Sequence, residues 1–420
     1  MPSDSTPDVY VWVWLPGKTE PVVAGVLTTE GNTTYFTYGT SYQGRPDAVP
    51  LYLPELPIEK GRIPPPLGLR IAGCIADGGP DAWGRRVLDH RHYRSSQQSP
   101  QELHDITYLL ESGSDRIGAL DFQKSPTDYV PRASGGDLEE LVEAAERLEA
   151  GEPFSEDLDE VLFQGSAIGG ARPKALLADG HSGLIAKFSS STDHFPVVKA
   201  EGVAMALARR VGLDVASTQV VSSVGKDVLL VTRFDRTTVP GERKMMVSAL
   251  TMLELDEMMG RYATYPDLAD VIRNRFDHPA KTLRELFGRV VFNVCVGNTD
   301  DHARNHAAFW DGATLTLTPA YDICPQMRSG GEATQAMAIG RDDENPLNPL
   351  LRLSQLTTCV AAAADYLLTE VEAKEIIDHQ LHVIESEWKD VADEARLSAS
   401  EIAQLYGRQI LNPFALEGYK

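Results

Sequence analysis

The stretch Gly297–Gly312, "GNTDDHARNHAAFWDG", decides how the chain is read. An apolar run, "LFGRVVFNVCV", leads into it and stops. Two Asp, two Asn, two His and an Arg then follow within nine positions. A scaffold has no use for that density of reactive side chains, so the segment is expected to carry chemistry.

Asp300 and Asn305 are spaced as Asp-x-x-x-x-Asn. In phosphoryl transfer the Asp of such a pair orients and deprotonates the attacking hydroxyl, and the Asn holds a Mg²⁺ on the phosphate chain. A second metal-binding carboxylate is then required. "LTLTPAYDICP" supplies Asp322, after a short strand that pairs with "HAAFW" through an Asp311-Gly312 turn. Such a hairpin would bring Asn305 and Asp322 side by side, and oxygen ligands of this kind suit Mg²⁺.

Upstream lies "FQGSAIGGARPKALLA". Its glycines, among them Gly169 and Gly170, permit close approach of backbone to phosphate, and Arg172 and Lys174 add positive charge. Lys187 interrupts the apolar strand "GLIAKFS", sharing a face with Ile185, and Glu201 on the next helix is a suitable partner for its ammonium. "LLVTRFDR" then offers the backbone of Thr232, Arg233 and Phe234 to an adenine edge. A Gly-rich loop, strand lysine, helix glutamate, hinge strand, Asp-x-x-x-x-Asn and final Asp is the order of parts in a two-lobed kinase.

The totals agree. The chain has 420 residues, which suits two or three domains or lobes. Its formal net charge of −22 disfavours broad direct contact with nucleic acid while leaving room for a basic protein partner. Cys74, Cys295, Cys324 and Cys359 form no CxxC pair, as expected of a reducing compartment. Neither a signal peptide nor a membrane span is read, so the expected location is cytoplasmic. The fold class expected is α+β. Residues 1–135 read as a β-rich subdomain, 136–236 as an N-lobe with Gly-rich loop, lysine strand and hinge, and 237–420 as a helical C-lobe. Within these, Trp83 reads as a packing anchor. Asp137 opens a helix that Gly151 ends. Val203, Ala204, Leu207, Ala208 and Val211 line one face of the helix before Gly212. A Thr369–Glu372 capping box starts the last long helix.

"GGARPKALL", "IAKF", "AEGVAMALARRVGL", "TRFDR", "VFNVCVGNTDDHARNHAAF" and "LTPAYDICP" resemble the HipA family of serine/threonine kinases, the toxin half of HipA–HipB-type modules. "PDAWGRR" and the strands before it resemble that family's N-terminal subdomain. The resemblance implies ATP and Mg²⁺ as cofactors and Asp300 as catalytic base. Asn305 and Asp322 would hold the metal, with His302 and Tyr321 flanking the nucleotide. Gly169, Gly170, Ala171, Arg172, Pro173 and Lys174 would cover the phosphates, Lys187 would bind them, and Thr232 to Phe234 would meet the adenine. It further implies a protein substrate, in known cases an aminoacyl-tRNA synthetase, and a HipB-like DNA-binding antitoxin that links the chain to nucleic acid indirectly. Family members silence themselves by phosphorylating a serine of the Gly-rich loop. Ala167 stands at that register here, and the adjacent Ser166 is the candidate acceptor.

Two rivals make different demands. A metal-dependent phosphohydrolase would gather Asp300, Asp301, His302, His306 and Asp322 into one metal cluster. A non-catalytic, pseudokinase-like binding module would hold a partner and transfer nothing.

Overall fold

Val9, Val11 and Val13 are buried along the first strand, β1 (Val9–Val13), as the β-branched run "VYVWV" dictates. β1 pairs antiparallel with β2 (Val22–Glu30), and β2 with β3 (Thr33–Tyr38). The other edge of β1 is covered by β4 (Leu120–Gln123), giving the order β3-β2-β1-β4. Between β3 and β4 lie α1 (Ala82–Ser96) and α2 (Asp105–Glu111). Trp83, at the start of α1, is fully buried, the packing anchor expected of it.

This computed structural model describes residues 8–96, 103–132, 138–150, 172, 174–177, 183–189, 193, 195–328, 330–342 and 349–419. The chain divides into two compact units. Unit 1 comprises Met1–Ser191, Ser222–Val247 and Phe309–Ala313; unit 2 comprises Thr192–Val221, Ser248–Ala308 and Thr314–Lys420. Among the described residues no helix is long and apolar enough to cross a membrane. The four cysteines are free and buried.

Unit 1 also holds α3 (Leu138–Ala150), whose Leu141 and Val142 are buried. The expected cap Asp137 and stop Gly151 lie outside the described residues. A second antiparallel sheet contains β5 (Lys174–Leu177) and β6 (Leu184–Phe188), in the register Lys174 opposite Lys187. β7 (Thr218–Ser223) carries the chain from unit 2 into unit 1, and β8 (Lys226–Thr232) pairs antiparallel with β6, Leu184 opposite Thr232. Ala186 and Phe188 of β6 are buried while Ile185 and Lys187 are half-buried, which is the alternation the sequence predicts.

Unit 2 is mainly helical. In α4 (Val197–Arg210) and the residue after it, Val203, Ala204, Leu207, Ala208 and Val211 are all buried. Gly212 follows at φ +89°, a conformation that stops the helix at little cost only for glycine. α5 (Tyr265–Arg275) starts at Thr264, whose side chain accepts from the Asp267 amide. α6 (Pro279–Val296) is buried along its second half. α7 (Glu370–Glu394) opens with the Thr369–Glu372 capping box and turns Ile377, Leu381, Ile384, Trp388 and Val391 inward. α8 (Ala399–Leu405) has its own capping box at Ser398 and Glu401.

Candidate active site

α6 ends in a left-handed glycine. Gly297 has φ +71°, and a β-carbon there would lie 2.6 Å from the Gln409 carbonyl oxygen, so both the turn and the space require glycine. The loop that follows is tied down at intervals. The Gly297 carbonyl accepts from the Gln326 amide at 2.9 Å, and the Thr299 carbonyl from the Ala336 amide at 3.1 Å. Asn298 donates its side-chain amide to Asn293 Oδ1 at 3.0 Å.

Asp301 is the buried anchor. It is 3% exposed and accepts from Asn293 Nδ2 at 2.7 Å, from His306 Nε2 at 2.8 Å and from the Tyr265 hydroxyl. Burial alone would raise its carboxyl. The His306 and Tyr265 contacts outweigh burial and hold it below the usual carboxylate range. One carboxylate therefore gathers α5, α6 and the far end of the loop around itself.

Asp300, one residue earlier, faces outward. Neighbouring protein strips part of its hydration, and with the charges of Asp322 and Asp301 this keeps its carboxyl above its ordinary value, against a lowering effect of His302. His302 and Asp322 thus each lie within electrostatic reach of Asp300. A short 3₁₀ turn, Ala303–Asn305, follows. Asn305 is buried, and its side-chain nitrogen reaches the Asp300 carbonyl at 3.5 Å. β9 (Ala307–Trp310) and β10 (Leu315–Leu317) form the expected strands around Asp311-Gly312. In unit 2 the Thr318 amide and hydroxyl both donate to the Ala307 carbonyl, at 3.0 and 3.1 Å. The Tyr321 hydroxyl donates to the Arg304 carbonyl at 2.7 Å, fixing the segment that delivers Asp322. Asp322 itself adopts φ +60°, an uncommon conformation for a residue with a β-carbon.

The donor set here is oxygen-rich. Asn305 and Asp322 offer amide and carboxylate oxygens, and the mutual repulsion of Asp300 and Asp322 is what a divalent cation would relieve. The residues fit Mg²⁺ in kind. The cluster of the phosphohydrolase reading is not gathered: among the described residues no group of three or more His, Cys, Asp or Glu could hold a metal ion, and His306 is turned to Asp301.

Unit 1 carries most of the other sequence-predicted residues. Lys174 and Lys187 are direct cross-strand partners, so their side chains leave the same face of the sheet. Arg172 lies just before this pair. Arg233 differs from expectation in what its groups do. Its amide donates to the Gly183 carbonyl at 3.3 Å, and its buried guanidinium is held by Asp115 and Asp235 at 2.8 Å each. Neither is turned outward as a hinge group. Gly169, Gly170, Ala171, Pro173 and Ser166 lie outside the described residues. Glu201 sits buried on α4 in unit 2.

Residues 166–388 match the family described as the HipA-like C-terminal domain, and residues 13–123 match the HipA N-terminal domain. The chain belongs to the HipA family. Over 205 residues it is 26% identical to the serine/threonine-protein kinase toxin HipA of Shewanella oneidensis, covering 42% of this chain and 47% of that one. It is 28% identical over 149 residues to Y4mE of Sinorhizobium fredii, a protein named as a candidate kinase, covering 33% of each. The aligned stretches thus span a third to about half of these curated relatives. A solved complex of Shewanella oneidensis HipA, HipB and operator DNA matches with a TM-score of 0.68 at 18% identity, over 94% of this chain and 95% of that one. That likeness establishes the mixed α+β HipA fold.

Two features of this chain escaped the sequence reading. Asp301 entered only as a metal ligand of the rival reading, whereas it organises the loop. The Lys174–Lys187 pairing was not foreseen, although the strand "KALL" and the alternation of "LIAKF" contained the register signal.

Proposed function

We propose that this HipA-family chain is a cytoplasmic serine/threonine protein kinase that transfers the γ-phosphate of ATP to a protein hydroxyl. The observation that carries the reading is the loop Gly297–Asn305. A buried Asp301 fixes its shape, and the outward Asp300 is poised beside Asn305 and within reach of Asp322.

In this reading Asp300 orients the acceptor hydroxyl and takes its proton as the phosphorus–oxygen bond forms. Its raised carboxyl makes it a better base than a fully solvated aspartate, provided it is ionised. Asn305 and Asp322 would hold Mg²⁺, which when bound neutralises charge on the β- and γ-phosphates. Lys174 and Lys187 give the triphosphate two ammonium groups on one sheet face. His302 and Tyr321 flank the nucleotide. Gly169 to Lys174 cover the phosphates, and the Thr232–Phe234 segment, anchored by its buried Arg233, meets the adenine through its other two residues.

The protein target is expected to be of the aminoacyl-tRNA synthetase kind, and the partner a basic, DNA-binding antitoxin of HipB type. The surplus of acidic residues here and the solved HipA–HipB–DNA assembly support that pairing. Ser166 is the proposed self-phosphorylation site; a phosphate there would add about −1.5 to −2 charges beside the nucleotide phosphates and block ATP. Mass spectrometry that finds the loop unphosphorylated in protein incubated with ATP would remove this part.

The test of the whole is phosphoproteomics after brief expression of wild type and Asp300→Asn. A protein phosphorylated only by the wild type, with ATP binding retained in Asp300→Asn and transfer down about 10²- to 10⁴-fold, is expected. Equal phosphorylation by both would overturn the role of Asp300.

A further inference from the structure

The Ser112–Gly118 turn of the HipA N-terminal domain receives an unusual number of arginines, all within unit 1. The carbonyl of Ser114 accepts from Arg243 at 3.1 Å. Arg116 O accepts from both Arg233 and Arg236, and Gly118 O from Arg236 at 3.1 Å. The Asp115 carboxylate takes Arg233 at 2.8 Å and Arg236 at 2.6 Å. In return, Asp235 accepts the Gly118 amide at 2.8 Å while binding Arg233 and Arg236. From just beyond the N-terminal domain Arg132 donates to Ser112 O at 2.8 Å, and within it Arg116 is bonded to Asp121 at 2.8 Å. The turn is therefore fixed on both sides.

This network is charged. Burial by itself would raise Asp115 and Asp235, but the neighbouring guanidinium groups outweigh it and both carboxyls lie below their usual range. Buried ion networks of this kind are poor stabilisers compared with apolar packing, and their best-attested use is to fix one geometry. What is fixed here is Arg233, the residue between Thr232 and Phe234. Its amide is held from one direction by Gly183 and its guanidinium from the other by Asp115 and Asp235.

We propose that Asp115, in the N-terminal domain, is a positioning residue for adenine: through Arg233 and Arg236 it holds the Thr232–Phe234 segment in the conformation that meets the base. The proposal rests on the reading of that segment as the adenine contact. It makes the N-terminal domain part of the nucleotide site and gives Arg233 an anchoring role in place of a contact with ATP.

The test compares binding of ATP, GTP and inorganic tripolyphosphate to the full chain by calorimetry. Wild type should bind ATP more tightly than tripolyphosphate. Asp115→Asn should weaken ATP about tenfold and narrow the ATP-over-GTP preference, leaving tripolyphosphate within about twofold. A folded Asp115→Asn with wild-type ATP affinity and preference overturns the proposal. So does an equal loss of ATP and tripolyphosphate, which is what a purely structural role produces. Should Asp115→Asn fail to fold, Arg236→Lys, which keeps the charge but loses the fork, carries the same expectation and the same refutation. If the wild type binds tripolyphosphate as tightly as ATP, the underlying adenine reading has failed, and that result is seen before any variant is made.

Discussion

Two adjacent carboxylates, Asp300 and Asp301, sit in opposite surroundings. Asp301 is enclosed by donors from α5, α6 and the loop; Asp300 is turned out with its carboxyl raised. Tyr265→Phe removes one donor from Asp301 and leaves two. It should cost about 1–3 kcal/mol in urea unfolding and lower phosphoryl transfer, with ATP affinity unchanged. Unaltered stability would mean that the hydroxyl contributes nothing to the anchor. Glu55 supplies a pH prediction. It is buried, and burial pushes its carboxyl up from 4.5 to about 7 despite amide donors at Gly73 and Cys74. Between those two values the folded chain binds the extra proton, so stability falls as pH rises through this window and levels off above it. Relative to Glu55→Gln, the wild type should lose up to about 3 kcal/mol between about pH 5 and about pH 8. Residue identities at the site were legible because Asp300, Asn305 and Asp322 are spaced along one short stretch. The partners of Asp301 and Arg233 were not: Tyr265 is 36 positions from Asp301 and Asp115 is 118 from Arg233. Local periodicity carries no information about such pairs.

At the scale of elements, the helices announced themselves through capping and spacing, as α4 and α7 show. Their caps differ in consequence. Thr369→Ala removes the capping box of α7 and should cost about 1 kcal/mol with no effect on transfer. Gly297→Ala acts at the junction of α6 and the loop. The left-handed turn alone should cost about 1–2 kcal/mol, and the clash with Gln409 adds to it. Thermal unfolding and phosphoryl transfer should both fall in Gly297→Ala; a loss of stability with full transfer would show that the loop tolerates a shifted anchor. The sheet register of β5 against β6 was harder to read than either helix. Strand pairing joins two segments, and a one-residue slip moves every side chain to the other face.

The whole molecule carries 61 acidic residues against 39 Lys and Arg. If the antitoxin is basic, association should be steered by charge, and its rate should fall about tenfold or more as salt is raised from low to high concentration, while dissociation changes less. Stopped-flow measurement at several ionic strengths checks this; a salt-independent rate would point to an uncharged interface. The division into units was only partly legible. The order of the parts lies in the sequence, but the chain enters and leaves each unit several times, and those returns are set by packing between distant segments.

Gln409 stands against Gly297, and the Leu411 amide donates to the Cys295 carbonyl at 2.7 Å. The wall behind the reactive loop is thus supplied by residues made more than a hundred positions later. During translation, Asp300 leaves the ribosome well before its backing does. A nascent chain stalled near residue 400 would hold every side chain of the loop and still lack the support that shapes it.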